Sequence, residues 1–392
     1  MKCWKNKTIN NICKILNNKR VPISQKDRIR GIYPYYGASG VVDYIDKYIF
    51  DEELVLIGED GAKWGAFENS AFIASGKYWV NNHAHILKPN NEILINKFLV
   101  YFLNYSNLEK YITGATVKKL NQQKLKQIEI PFPPLKEQER IVGILDESFA
   151  KIDESIKILE QDLLNLDELM QSALQKAFPL KDNTKENYKL PQGWEWKSLG
   201  DISNLIQNGF AASKNNEIPS GYVHLRTHNI STDGNLNFDT LIKIKREFIK
   251  EKQSFIEKND ILFNNTNSTE LVGKTALVTQ NYNYAFSNHL TKIKLKNQYN
   301  SKLVVFYFVL LLKNKYFEKI CHQWIGQSGI NIDKLKKIQI PLPPLKEQEQ
   351  IALHLDEFSS HVKNLKQNYQ AQIKDLQELK NSLLDKAFKG NL

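Results

Sequence analysis

The feature that most constrains this chain is a repeat. Residues 130–141 read IPFPPLKEQERI, and residues 340–351 read IPLPPLKEQEQI. The offset of 210 residues holds without a gap from Leu120 and Ile330 to Phe178 and Phe388, and 26 of the 59 paired positions are identical. A repeat of this length in a chain of 392 residues requires duplicated structural units, whatever those units do.

The double prolines, Pro133–Pro134 and Pro343–Pro344, cannot continue a strand, yet proline sits well in the first turn of a helix. Each copy therefore predicts a strand (125–131 and 335–341) turned through a rigid corner into a helix beginning near Lys136 and Lys346. Glu137 and Glu139 fall in the first turn, where the helix dipole favours negative charge.

Beyond the corner, Val142, Leu145, Phe149, Ile152, Ile156, Leu159, Leu163, Leu166, Met170, Ala173 and Ala177 recur at spacings of three and four. That is the seam of a coiled coil. A helix of this length is roughly 60 Å long at about 1.5 Å per residue. The second copy keeps Leu355, Val362, Tyr369, Ile373, Leu376 and Leu383 in register, while Lys366 and Lys380 interrupt the stripe. The simplest arrangement pairs the two helices antiparallel. The expected fold is α+β: two α/β domains, 1–135 and 181–345, separated by helical spacers 136–180 and 346–392, with an internal pseudo-two-fold repeat.

Charge follows the same division. The net charge of +11 divides into +7 for residues 1–135 and +9 for 181–345, against −5 for 136–180 and zero for 346–392. Positive charge thus gathers in the two non-helical domains, as a polyanionic partner would require. The three cysteines, Cys3, Cys13 and Cys321, have neither the spacing of a zinc site nor that of a disulfide framework. The polar amino terminus lacks a signal-peptide core, and the apolar run 303–312 is too short to cross a bilayer, so a reducing cytoplasm is expected.

Along the first domain, YPYYGASG (33–40) suits an exposed turn, followed by strands at 41–44, 54–57, 72–74 and 85–87 and a helix at 95–111. A polar, lysine-containing linker (179–190) leads into the second domain. There Trp196-Lys197 echoes Trp4-Lys5, YVHLRTHNI (222–230) predicts a strand with a basic end, and DILF (260–263) echoes LVLI (54–57). Asn288-His289 echoes Asn82-His83, the helix 302–321 echoes 95–111, and GQSGINID (326–333) echoes GATVKKLN (114–121). The plan is shared while the sequence is not, so scaffold and surface have diverged separately.

Catalytic patterns are weak throughout. GKT at 273–275 invites a phosphate-loop interpretation, but the first glycine that loop requires falls on Ser268. Glu59, Asp60 and Lys63 resemble a nuclease carboxylate–lysine set, although a solvated GEDGAKWG loop is the better expectation. His83 and His85 alternate along a strand without a third metal ligand. No Asn-Pro-Pro-aromatic motif for amino methylation occurs.

Base reading calls for forked donors and acceptors on exposed loops, and phosphate binding for lysine, arginine and small hydroxyls. In the first domain the candidates are Tyr36 and Ser39 in the glycine turn, Lys63 and Trp64 in the loop after 54–57, and His83. In the second they are Arg226, His228 and Asn229 at a strand end, Asn264, Asn265, Asn267 and Ser268 in NNTNS, then Lys274 and His289.

With IPxPPLxEQ twice, each followed by a long helix ending in KAF, the chain resembles the specificity subunits of Type I restriction–modification systems. The LPQGWEWKSLGDI opening of the second domain carries the resemblance further; the first domain opens at MKCW without that lead. The resemblance implies a non-catalytic subunit whose two target recognition domains each bind half of an asymmetric, bipartite double-stranded DNA site. It implies two methyltransferase subunits as partners, bringing S-adenosylmethionine for adenine methylation. It also implies restriction subunits using ATP and Mg2+, with no cofactor held by this chain, in a bacterial or archaeal cytoplasm. A rod of roughly 60 Å would set the half-sites close to two DNA turns apart, at about 34 Å per turn. Two other classes stay open: a coiled-coil adaptor for proteins only, which should lack salt-sensitive DNA binding, and a self-contained restriction–methylation enzyme, which needs catalytic motifs absent here.

Overall fold

A computed structural model describes residues 4–179, 190–249 and 255–392. The interior of the expected linker, 180–189, lies outside the described residues, as does Cys3. The chain divides into two compact units: residues 1–161 with 369–392, and residues 162–368. The division runs through both long helices, so each unit takes a portion of each.

The first unit is built on an antiparallel sheet ordered Cys13–Ile15, Ala84–Pro89, Leu54–Gly58, Ala71–Ala74. Leu54, Val55, Leu56 and Ile57 are all fully buried, which is why this strand is a continuous apolar run rather than an alternating one. A second sheet is ordered Gly40–Ile45, Arg30–Gly37, Lys77–Val80, Phe50–Asp51, with its central pair parallel. YPYYG is thus mainly strand: Tyr35 is buried, and only Ala38 and Ser39 form the turn, closed by Gly40 at φ +128°.

The second unit repeats the topology. Its sheets are ordered Ser203–Asn208, Leu290–Leu295, Ile261–Asn264, Thr275–Leu277 and Lys243–Ile244, Glu217–Leu225, Tyr282–Phe286, Phe255–Ile256. Its helix Ser301–Lys313 buries Leu303 through Leu311 without interruption, so the most apolar run of the chain is a core helix. Among the described residues no helix is long and apolar enough to cross a membrane.

A small two-stranded ribbon opens and closes each recognition unit. Lys5–Thr8 pairs with Glu129–Phe132, and Glu195–Ser198 pairs with Gln339–Leu342. Thr8 faces Glu129 and Ser198 faces Gln339, which makes Trp194, not Trp196, the counterpart of Trp4. The sequence echo is two residues out because it aligned the wrong tryptophan. The strands expected from Leu125 and Leu335 also begin later. Asn121 and Asn331 accept from the amides of Lys124 and Lys334 and cap one-turn helices, Gln122–Lys126 and Ile332–Lys336, ahead of the strands.

The PP corner works through a buried glutamine. The Pro134 carbonyl accepts from the amides of Glu137 (2.8 Å) and Gln138 (3.1 Å), starting the helix Leu135–Ala177. Gln138, fully buried, donates from Nε2 to the carbonyls of Pro133 (2.9 Å) and Ile93 (3.0 Å) and accepts from the Ile95 amide (3.0 Å). It clamps the corner to the start of the helix Asn96–Tyr105. In the second unit Gln348 donates to Pro343 (2.8 Å) and accepts from Asn300 (2.9 Å), at the start of Leu345–Phe388. The glutamine of the motif is thus a structural clamp.

Every member of the predicted seam on the first long helix is buried or half-buried. Within the first unit, Lys380 of the second helix reaches Asp153 of the first at 2.6 Å and lies over the Phe149 ring. Within the second, Lys366 reaches Asp167 at 2.7 Å. Each step forward on one helix matches a step back on the other, the antiparallel arrangement expected. The two lysines that interrupt the stripe are therefore cross-helix ion pairs. The KAF endings are anchors: Phe388 packs with Phe98, Phe102 and Tyr105 in the first unit, and Phe178 with Tyr307 in the second.

Candidate nucleic-acid interface

Three segments converge where the first unit's strand Leu54–Gly58 ends. A Cβ on Gly58 would stand 2.8 Å from the Ala38 carbonyl, so the glycine lets the 38–39 turn approach closely. The Glu59 amide donates to the His83 carbonyl at 2.8 Å, and the Leu120 amide to the Glu59 carbonyl at 2.8 Å. The second unit repeats this knot: Asn265 donates to the His289 carbonyl (3.0 Å) and Ile330 to that of Asn265 (2.9 Å). The structural equivalence of the two Asn-His pairs follows directly.

The side chains filling the two knots differ. In the first unit Glu59, 8% exposed, is bound by Arg20 and by Lys119 at 2.8 Å. Arg20 also donates to the carbonyls of Asn82 (3.1 Å) and Ala84 (3.0 Å), fixing the turn that carries His83. Burial, the largest influence, pushes the Glu59 carboxyl up, but hydrogen bonds from Lys119 and Arg20 and the charges around it outweigh this and hold it below its usual value. His85 donates through Nε2 to the Leu120 carbonyl (2.6 Å) and meets Asn17 at Nδ1 (2.7 Å). Desolvation in this buried position lowers its pKa, so the ring is neutral. In the second unit the same place holds uncharged groups: Asn265 donates to Thr291 Oγ1 (2.9 Å), which donates to Asn208 Oδ1 (2.7 Å).

GEDGAKWG is therefore not a solvated loop throughout. Glu59 is held inside at one end, and Trp64, 5% exposed, is buried in the core with its Nε1 donating to the Gly58 carbonyl (3.1 Å). Lys63 is the outward member, meeting only Glu68 at 3.8 Å among the described ion pairs. The imagined carboxylate–lysine set does not assemble, because Glu59 pairs with Arg20 and Lys119 instead. Among the described residues no three His, Cys, Asp or Glu side chains gather as metal ligands.

The other candidates separate by exposure. Ser39 and His83 are exposed, His83 with Nδ1 2.5 Å from Asp60, while Tyr36 is half-buried and stacked on Phe72. In the second unit His228 and Ser268 are exposed and Asn267 and His289 half-buried. Arg226 is half-buried, donating to the Ala212 carbonyl at 3.1 Å. Asn229, Asn264, Asn265 and Lys274 are buried. Asn229 accepts from the Arg226 amide and donates to the carbonyls of Asn237 and Thr240 at 2.9 Å each, so it shapes its turn from within. Lys274 donates to the Thr227 carbonyl at 2.8 Å, and burial lowers its pKa. Beside it Gly273, at φ +95°, leaves the space that the Phe317 ring fills: an added Cβ would stand 2.3 Å from that ring. GKT is a packing solution, not a phosphate cradle.

Trp64, Asn229, Asn264, Asn265 and Lys274 thus position the surface rather than present donors to it. Sequence reasoning missed Arg20, Lys119, Asn208 and Thr291. Only the repeated GATVKKLN and GQSGINID segments hinted at any of them, through Lys119. What remains outward is a small set of polar and cationic groups on two differently lined loop clusters, suited to hydrogen-bonding a polyanion.

The family model described as the Type I restriction modification DNA specificity domain matches residues 1–163 and 191–375. A Haemophilus influenzae protein, described as a putative type I restriction enzyme specificity subunit, is 31% identical over 90% of this chain and 87% of its own length. The EcoBI specificity subunit of Escherichia coli is 26% identical over 96% of this chain and 81% of its own length. In fold, a chain from a structure of a type I R-M system aligns with a TM-score of 0.74 at 18% identity, covering 100% of this chain and 99% of that one. The HsdS subunit of Thermoanaerobacter tengcongensis aligns at 0.55 and 19% identity, covering 99% and 97%.

Proposed function

The chain belongs to the Type I restriction–modification DNA specificity family, and from that membership we propose that it is the sequence-reading subunit of such a complex. Its recognition domains, 1–135 and 181–345, each read one half of an asymmetric bipartite site, and the long helices 136–180 and 346–392 fix the gap. The candidates left exposed or half-exposed are Ser39, Lys63, His83 and Tyr36 in one half, and Arg226, His228, Asn267, Ser268 and His289 in the other. The chain itself is non-catalytic. It directs two methyltransferase subunits, which bring S-adenosylmethionine for adenine methylation, and restriction subunits, which use ATP and Mg2+, in the cytoplasm.

The observation that carries this is one framework with two linings. The same backbone knot holds Arg20, Glu59, His85 and Lys119 in one unit and Asn208, Asn265 and Thr291 in the other. A shared scaffold with different polar loops suits two readers of different sequences. The experiment is DNA binding by the methyltransferase complex assembled on this chain. The proposal expects affinity that falls steeply with salt and discriminates one duplex sequence. A protein-only adaptor would leave binding weak and indifferent to sequence.

A further inference from the structure

We propose that the hairpin 322–329 is a DNA-probing wedge, whose Trp324 and Ile325 insert into the base stack at the half-site read by the second unit; this rests on the function proposed above. The strand His322–Trp324 pairs with Gln327–Gly329, and that strand pairs in turn with Thr266–Asn267. The hairpin is thus a direct extension of the loop bearing the candidate readers Asn267 and Ser268. Thr269 and Ser328 hydroxyls, 2.8 Å apart, tie it down a second time.

At the tip, Trp324 is 61% exposed and Ile325 fully so, a large apolar surface left in water at the end of a two-stranded arm. The indole is nevertheless positioned. A Cβ on Gly329 would stand 2.8 Å from Trp324 Cζ3, so the glycine makes the seat on which the ring lies. His322 stacks alongside at 6.2 Å. Gly326, at φ +81°, turns the chain directly after Ile325.

The charge along the chain on either side of the hairpin points to the partner. No Asp or Glu occurs from Cys321 to Ile332; Lys313, Lys315, Lys319, Lys334, Lys336 and Lys337 flank that stretch together with Glu318 and Asp333, which leaves the flanks net positive. An apolar tip between cationic shoulders matches proteins that prise base steps apart while holding the phosphates. The corresponding segment of the first unit, bridged from Thr113 to Lys119, exposes Val117 and carries no aromatic residue.

The test uses the full chain assembled with its methyltransferase subunits and a duplex carrying the site that methylation mapping returns. 2-Aminopurine is scanned through the half-site. Wild type should raise its fluorescence at one step, and Trp324→Ala with Ile325→Ser should abolish that rise. The double variant should also bind about 5- to 100-fold more weakly, with the slope of affinity against salt unchanged, because an apolar contact releases no counterions. Trp324→Phe should restore most of both. Wild-type affinity and fluorescence in the double variant would overturn the wedge while leaving sequence reading intact. Loss of the methyltransferase subunits from the complex, with no fluorescence change in wild type, would overturn it in favour of a protein-docking tip. Absence of sequence-specific binding by wild type would remove the underlying function, and the wedge with it.

Discussion

Replacing Gln138 by Met would keep the side-chain volume while deleting every hydrogen bond the amide makes. In the native chain it satisfies the Ile95 amide and the carbonyls of Ile93 and Pro133, all within 3.0 Å, at a position fully closed to water. Each buried polar group stripped of its partner costs about 1–3 kcal/mol, and the apolar replacement recovers part through burial. The expected net loss is about 3 kcal/mol, confined to the first unit. Two assays check it. Urea unfolding should move to a lower midpoint, and hydrogen exchange of the Ile95 amide should accelerate by at least about 100-fold, the equivalent of about 2.8 kcal/mol at about 1.4 kcal/mol per decade. The half-site sequences read by the complex should not change, since the clamp touches only backbone. A stability loss below about 0.5 kcal/mol, or an altered recognition sequence in a folded variant, would refute the assignment of the motif as a structural corner.

Two further predictions follow from the helices and the first loop cluster. Inserting seven residues after Leu159 and seven after Tyr369 preserves the antiparallel pairing and lengthens it by about 10 Å; methylation mapping should return the same half-sites with a longer gap, and altered half-sites around an unchanged gap would remove the ruler. Glu59 has a folded pKa below its unfolded value of 4.5, so its contribution is fully present above that value and lost as pH falls through the folded one. Glu59→Gln should cost about 1–3 kcal/mol at pH 7 in thermal melts and lose less than wild type on acidification to pH 3; equal acid sensitivity in both would contradict the ion-pair assignment.

The architecture was legible because the repeat encodes backbone events. Pro133–Pro134 forces a corner in any context, and an unbroken seam from Val142 to Ala177 buries one face of a helix whatever it meets. The echoes DILF with LVLI and Asn288-His289 with Asn82-His83 were legible for a similar reason: they sit where strands must end at the same height. The Trp4 echo failed because two tryptophans lie two residues apart, and only the ribbon register, Ser198 facing Gln339, separates them. Leu125 fits a strand by sequence, as an apolar residue ahead of Pro131. A single Asn121 cap decided the matter locally in favour of a helical turn.

The site was less legible, since residue type does not reveal which way a side chain points. Asn229 and Asn264 look like readers, yet the interior claims them. Trp64 looks like a surface aromatic in a glycine-rich loop, yet its indole closes the core beneath that loop. Conversely, Arg20 and Glu59 lie 39 residues apart and Glu59 and Lys119 lie 60 apart. Nothing local in either neighbourhood announces the other.

The measurement that tests the central claim most directly is a base-resolution adenine methylation map of host DNA with this gene intact and deleted. The account predicts a split, asymmetric motif that disappears on deletion, and one half of which alone changes when residues 1–135 are exchanged for those of a relative. Either a methylated motif that survives deletion or an exchange that alters both halves together would contradict it.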